Sequence, residues 1–162
     1  MPDGVFELSV LTPEADLLQA EARAIVLRSS DGDLTVLDGH TPIVTDVVPG
    51  DVRVDPADGE PVHLAVHGGY LQVETGPGVG GAEGQQRGTR VTLLAGIAEL
   101  AGSIDVARAE RQRTEAEGRL EELRAAAARG GTGATEREDL EIGEAEAALR
   151  RAEVRLQVAG AS

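Results

Sequence analysis

The chain has no cysteine and no tryptophan, one phenylalanine (Phe6) and one tyrosine (Tyr70), and its 15 basic residues are all arginine. Each absence removes a class of function. Without cysteine there are no disulfides, no thiol nucleophile and no thiolate metal site. Without lysine there is no Walker loop, which needs the ammonium of Gly-Lys-Ser/Thr on the phosphates; an all-arginine cation set also points to a GC-rich bacterial genome. No apolar run reaches about 18 residues and no charged-then-apolar leader opens the chain, so neither a membrane span nor a secretion signal is expected. The chain reads as cytosolic, meeting a membrane only through a partner. With so few aromatics, the core must be built from Val, Leu, Ile and Ala.

Positive charge is scarce as well. The net charge is −14, and Met1 to Leu100 holds 16 acids against 5 arginines, while Ala101 to Ser162 holds 13 against 10. A surface this acidic repels phosphate backbones and argues against nucleic acid as a partner. The length of 162 residues allows one domain with an appendage, and the pattern divides it into an all-β unit over 1–101 and a helical unit over 102–162.

The first unit is organised around Asp31 to Gly50, DGDLTVLDGHTPIVTDVVPG. Asp31-Gly32-Asp33 signals a turn, Leu34 to Leu37 a strand, Asp38 to Pro42 a turn, and Ile43 to Val48 a strand that runs into Pro49-Gly50. Two strands precede it: Val5 to Val10, ending at Thr12-Pro13, and a segment from Leu17-Leu18 through Ala24 to Arg28. After it, Val52 to Val54 and Val62 to Val66 flank an Asp58-Gly59 turn, and Tyr70 to Val73 and Arg90 to Leu94 flank a glycine-rich loop at Gly76 to Gly88. Short strands with turns every 6 to 12 residues predict a sandwich or flattened barrel.

From Ser103 the pattern becomes helical and no proline follows. The spacing predicts a helix from Ile104 to about Arg129, with Ser103 as N-cap, Asp105 in the first turn and an apolar stripe at Ala116, Leu120, Leu123 and Ala127. A turn over Arg129 to Ala134 leads to a second helix, from about Thr135 to Ala159, striped at Ala145, Leu149, Ala152, Leu156 and Ala159. The two form an antiparallel hairpin. Its stripes are rich in alanine, which buries little apolar area, so the hairpin is expected to dock weakly.

Catalytic chemistry finds little support. Gly76 to Gly81 fits G-x-G-x-x-G, but no helix pattern follows it, and it reads as a flexible loop. His63 and His67 are too far apart on a strand, about 13 Å, to share a metal, and read as surface or edge histidines. His40 sits in a tight Gly-His-Thr-Pro turn, suited either to bonding the turn or to contacting a partner. A hydrolase using His40 with Asp38 or Asp46 lacks a paired nucleophile. Ile104-Asp-Val-Ala-Arg-Ala109 is, taken alone, a helix start with an Asp105/Arg108 pair worth a few tenths of a kcal/mol.

DGDLTVLDGHTPIVTDVVPGDVRV, together with FELSVLTPEADLL, HGGYLQV, VTLLAGIAELAGSID and AEAALRRAEVRLQVA, resembles the epsilon subunit of the F-type ATP synthase over nearly the whole chain. The loop from Gly76 to Gly88, longer than the family's hairpin, departs from it. The resemblance implies an N-terminal β-sandwich and a C-terminal two-helix hairpin in a noncatalytic rotor subunit, peripheral on the cytoplasmic face of the bacterial membrane. It implies contact with the gamma subunit and the c-ring, and with the alpha and beta catalytic subunits when the hairpin extends to inhibit ATP hydrolysis. Asp31, Asp33 and His40 match the family's ring-facing loop positions. IDVARA matches the motif with which some bacterial epsilon subunits bind ATP as a regulatory ligand, with no cofactor required; the implied site is Glu99, Ile104, Asp105, Arg108, Ala109, Arg151 and Arg155. One arginine position of that pattern is Glu115 here, with Arg113 nearby. Arg150, Arg151 and Arg155 are the implied inhibitory contacts. On the residues alone, a β-sandwich binding module with a helical dimerisation tail fits as well.

Overall fold

The computed structural model describes residues 4–79, 88–129 and 135–160. Nine strands come first: β1 Phe6–Leu11, β2 Asp16–Ser29, β3 Gly32–Leu37, β4 Ile43–Val47, β5 Gly50–Pro56, β6 Val62–Val66, β7 Gly69–Gly76, β8 Gly88–Ala95 and β9 Ala98–Leu100. A single 3-10 turn, Ala101–Ser103, leads into α1 Val106–Arg129, and α2 Glu136–Ala159 follows.

The strands pair in the order β4-β7-β8-β1-β2-β5-β6-β9, with β3 also on β2. All pairings are antiparallel except β1 with β8. The long β2 belongs to both layers of the resulting sandwich. Its first half pairs with β1, its second half with β3 and β5, and the register shifts between Ala22 and Ala24 where it passes from one to the other.

Alternation decides what goes inside. In β1, Phe6, Leu8 and Val10 are fully buried while Glu7, Ser9 and Leu11 point outward. Ile25 and Leu27 of β2, Val52 and Val54 of β5, Leu64 and Val66 of β6, Leu71 and Val73 of β7, and Val91 and Leu93 of β8 meet them. Phe6 is the aromatic member of this core; Tyr70 is exposed. Close approach sets the β7 start: a Cβ on Gly69 would overlap the Leu94 carbonyl oxygen of β8, so the Gly68-Gly69 pair lets the two strands meet.

β6 is covered on both faces, which simple alternation does not suggest. Leu64 and Val66 enter the sandwich core, and Ala65 between them meets Val154 and Val158 of α2, together with Ala101 and Ile104. α2 thus has two contact faces. Ala145 and Ala152 are buried toward α1, whose Ala109, Ala116 and Leu120 are buried in turn, while Leu149 and Leu156 are half-buried. Ion pairs from Arg119 to Glu141 (3.3 Å) and Arg124 to Glu146 (2.8 Å) run along the exposed edge of the helix pair; such pairs contribute little individually.

One expectation is corrected. The N-cap of α1 is Asp105, not Ser103: its Oδ1 accepts from the Arg108 backbone N–H (2.9 Å) and its carbonyl takes the first helical bond, from Ala109. Ser103 cannot serve, because its hydroxyl closes the preceding turn on the Leu100 carbonyl. Strand β9 is an element that periodicity did not reveal. The glycine-rich run and the inter-helix turn fall partly or wholly at 80–87 and 130–134, outside the described residues.

Candidate functional site

The end of β9, the 3-10 turn, the start of α1 and the last turns of α2 converge on a cavity of about 320 Å³ lined by Glu99, Ser103, Asp105, Arg108, Ala109, Gln112 and Arg155. Each wall has a local reason to be there. Asp105 is fixed by capping α1, which leaves its second oxygen available. Arg108 lies in the first turn, and Ala109, one residue on, is small enough to leave the cavity open. Arg155 reaches across from α2: its Nη2 is 2.6 Å and its Nε 2.7 Å from Glu99 Oε1, and its Nη1 donates to Gln112 at 3.4 Å. This one side chain ties the sandwich, α1 and α2 together.

The cavity is therefore lined by two carboxylates and two guanidiniums, with an amide and a hydroxyl between them. Such a set can hydrogen-bond a polar heterocycle and pair with an anion at once. Its size is at the lower end of small-molecule sites.

Five of the seven residues implied for this site line the cavity: Glu99, Asp105, Arg108, Ala109 and Arg155. Ile104 does not; it packs with Ala65, Ala101, Val154 and Val158 beneath the cavity. Arg151 lies one turn back along α2 in a neighbouring groove of about 290 Å³ with Glu115, Arg119 and Ala148, which Arg155 also borders. Glu115 thus brings a carboxylate to the groove that Arg151 occupies. Arg150, about 100° around α2 from Arg151, is exposed and lines neither space. Gln112 lines both spaces, and no sequence signal distinguished it from any other helix-surface glutamine.

His67, read from the sequence as a surface or edge histidine, is neither: β6 lies between β5 and β9. Its side chain is 2% exposed, its Nε2 lies 3.9 Å from Glu99, and neither ring nitrogen has a hydrogen-bond partner among the described residues. Burial first, and then the Arg155 charge, lower its pKa from 6.5 to about 4. The sequence hid this because α2 arrives from about ninety residues away. His63 bonds Asp51 of β5 at 2.8 Å.

The second set of candidates lies on the turns around β3. Asp31 and Asp33 are exposed at its start, Asp33 3.7 Å from Arg28. His40 is beyond its other end, half-buried, with Nδ1 2.8 Å from the Thr41 carbonyl. About 20 Å of strand separates the two turns, so any surface that touches both must run the length of β3. Both turns are pinned. Thr89, fully buried, donates to Asp38 (2.8 Å) and accepts from the Gly39 N–H (2.8 Å), where φ is +77°. Asp46 accepts from the Ser30 hydroxyl at 2.8 Å. The two carboxylates a hydrolytic His40 would have used are spent on holding loops.

Comparison with known proteins accounts for both halves. The ATP synthase delta/epsilon chain β-sandwich domain matches residues 5–76, and the long α-helix domain of the same family matches residues 103–160. The ATP synthase epsilon chain of Symbiobacterium thermophilum is 37% identical over 155 residues, covering 95% of this chain and 92% of that one. That of Lactobacillus gasseri is 32% identical, covering 97% and 94%. Among solved structures, a chain of the Euglena gracilis mitochondrial ATP synthase, in an assembly with its c-ring, superposes with a TM-score of 0.67 at 20% identity, covering 100% of this chain and 84% of that chain. A chain from the central stalk and c-ring of the Tetrahymena thermophila mitochondrial enzyme gives 0.55 at 10% identity, covering 93% and 96%. These two likenesses concern the fold.

Proposed function

Because the chain belongs to the ATP synthase delta/epsilon family, we propose that its hairpin inhibits ATP hydrolysis and that the cavity is a regulatory ATP site holding the hairpin docked. An epsilon chain is a noncatalytic subunit of the ATP synthase central stalk and takes part in ATP synthesis through the complex. No helix among the described residues is long and apolar enough to cross a membrane, in keeping with membrane association through the complex. The sandwich is the half that binds the gamma subunit and the c-ring; the acidic turn at Asp31 and Asp33 suits basic ring loops, and His40 belongs to the same contact only if that contact extends along β3.

The observation that carries the ATP reading is the convergence of Glu99, Asp105, Arg108, Ala109 and Arg155 on one cavity between the sandwich and both helices. A ligand that touches all three elements favours the docked form over one in which the helices have left. Arg108 and Arg155 are the phosphate-facing groups, and Asp105 reads the adenine edge. Arg150, Arg151 and Arg155, spread around the last turns of α2, would meet carboxylates of the alpha and beta subunits when α2 extends.

Titration calorimetry on the isolated chain tests the site. Arg108→Ala is expected to weaken ATP binding roughly tenfold or more, since a charge-assisted hydrogen bond contributes about 1.5–3 kcal/mol, and Asp105→Asn to weaken it while keeping the cap. Absence of binding up to millimolar ATP by the unmutated chain rejects the ligand. Inhibition is tested in the assembled enzyme: deletion from Ser103 onward is expected to raise hydrolysis at low ATP without loss of assembly. Equal rates reject it.

A further inference from the structure

His67 closes β6 at the point where α2 meets the sandwich, two residues beyond the Ala65 that Val154 and Val158 cover. Its ring is enclosed, its nitrogens are unpartnered among the described residues, and the nearest carboxylate, Glu99 at 3.9 Å, is already engaged by Arg155. The charged groups that face it are Glu99 from β9 and Arg155 and Arg151 from α2, two cations against one anion. On β5 Asp51 is taken by His63, and the turn at Ala101–Ser103 has no charged side chain.

We propose that His67 is an acid-sensitive latch: its protonation releases α2 from the sandwich, so that proton concentration sets the docked fraction of the hairpin. This rests on the reading above that the hairpin can leave. A proton on the ring would sit in an enclosed site beside two arginines, with the one compensating carboxylate shared. When α2 departs it takes both arginines with it and leaves Glu99 free to pair with the imidazolium. Docking and protonation therefore oppose each other.

The direction follows from the imidazole value, lowered from 6.5 to about 4 in the docked form by burial and Arg155. The undocked form binds the extra proton between those limits. Docking is at full strength above pH 6.5, weakens as the pH falls through the window, and is about 10²-fold less favourable at pH 4.

The cysteine-free chain allows a direct measurement. Spin labels on Asp58→Cys, in the exposed β5–β6 turn, and Glu153→Cys, on the exposed face of α2, report the separation of the helix from the sandwich in the full chain. A long-distance population is expected to grow between pH 7 and 4.5 while the strand signal in circular dichroism is unchanged. The same pair in a His67→Gln background, or in His67→Asn should the first fail to fold, is expected to stay docked across the range. An unchanging distance in the His67 chain, equal growth in both backgrounds, or growth only together with loss of the strand signal overturns the latch. The measurement uses neither nucleotide nor the assembled enzyme, so failure of the inhibitory reading leaves it intact.

Discussion

The sandwich and the hairpin are held by different amounts of the same interaction. Among the described residues, seventeen buried side chains drawn from eight strands form the sandwich core, and its turns are fastened by buried or short side-chain bonds such as Thr89 to Asp38. The hairpin meets that sandwich through Val154 and Val158, with Arg155 as its ionic tie. Burying a valine contributes about 1.5–3 kcal/mol, and the ion pair is partly exposed, so docking is worth only a few kcal/mol. Such a gap is small enough for a ligand or a proton to tip. The sandwich, in contrast, is a fixed platform. On the function proposed above, this difference in packing corresponds to a division between attachment and regulation.

Breaking the platform should have the largest effect. Phe6 is fully buried at the centre of a core otherwise made of aliphatic side chains, and no neighbouring ring can move to fill its place. Phe6→Ala is expected to cost about 3–5 kcal/mol, measured by urea unfolding followed through the strand signal. A loss below about 1 kcal/mol would mean that the sandwich is no more tightly packed than the hairpin contact, and the contrast would fail.

Next comes the contact itself. Val154→Ala with Val158→Ala removes most of the apolar surface between α2 and β6 and is expected to weaken docking by about 2 kcal/mol. Hydrogen exchange is the appropriate readout: α2 and the β6 amides should lose protection while β1, β7 and β8 keep theirs. Loss of protection throughout would show the two halves to be one cooperative unit.

How much of this was legible depends on how far the deciding contact lies along the chain. The inward set of β1 follows from strict alternation, and the sandwich follows from turn residues that act within a few positions, as at Asp38 to Pro42. The α1–α2 stripe was readable because 3.6-residue periodicity is also local. Val154 and Val158 were not, since the alanine stripe at 145, 152 and 159 dominates the pattern and a second face becomes visible only when its partner, Ala65, is known. His67 is the same case seen from the other side. Ser103 and Asp105 compete as caps within three residues, and the Leu100 carbonyl decides between them. In the cavity, Glu99, Asp105, Arg108 and Arg155 were indicated by resemblance rather than by spacing, and Gln112 by neither. Arg151 was indicated by the same resemblance; it shares a face with Arg155 and lies in the adjoining groove, which Arg155 also borders.

The smallest expected effect sharpens the comparison inside the hairpin. Thr135 caps α2: its hydroxyl accepts from the Glu138 N–H at 3.3 Å, and the Glu138 carboxylate returns to the Thr135 N–H at 2.8 Å. These bonds hold the Glu138 carboxyl below its usual pKa. Their contribution is therefore present above the unfolded carboxylate range and lost as the pH falls through the folded value. This end of α2 is distant from both Val154 and His67, so it should bear on helix stability and not on docking. Thr135→Ala is expected to lower helix stability by about 1 kcal/mol, seen as faster amide exchange over Glu136 to Leu140 with no change at Val154 to Val158. Equal loss at both ends would mean that α2 forms and docks in a single step. The hairpin would then move as a helix that melts, not as a rigid arm that swings.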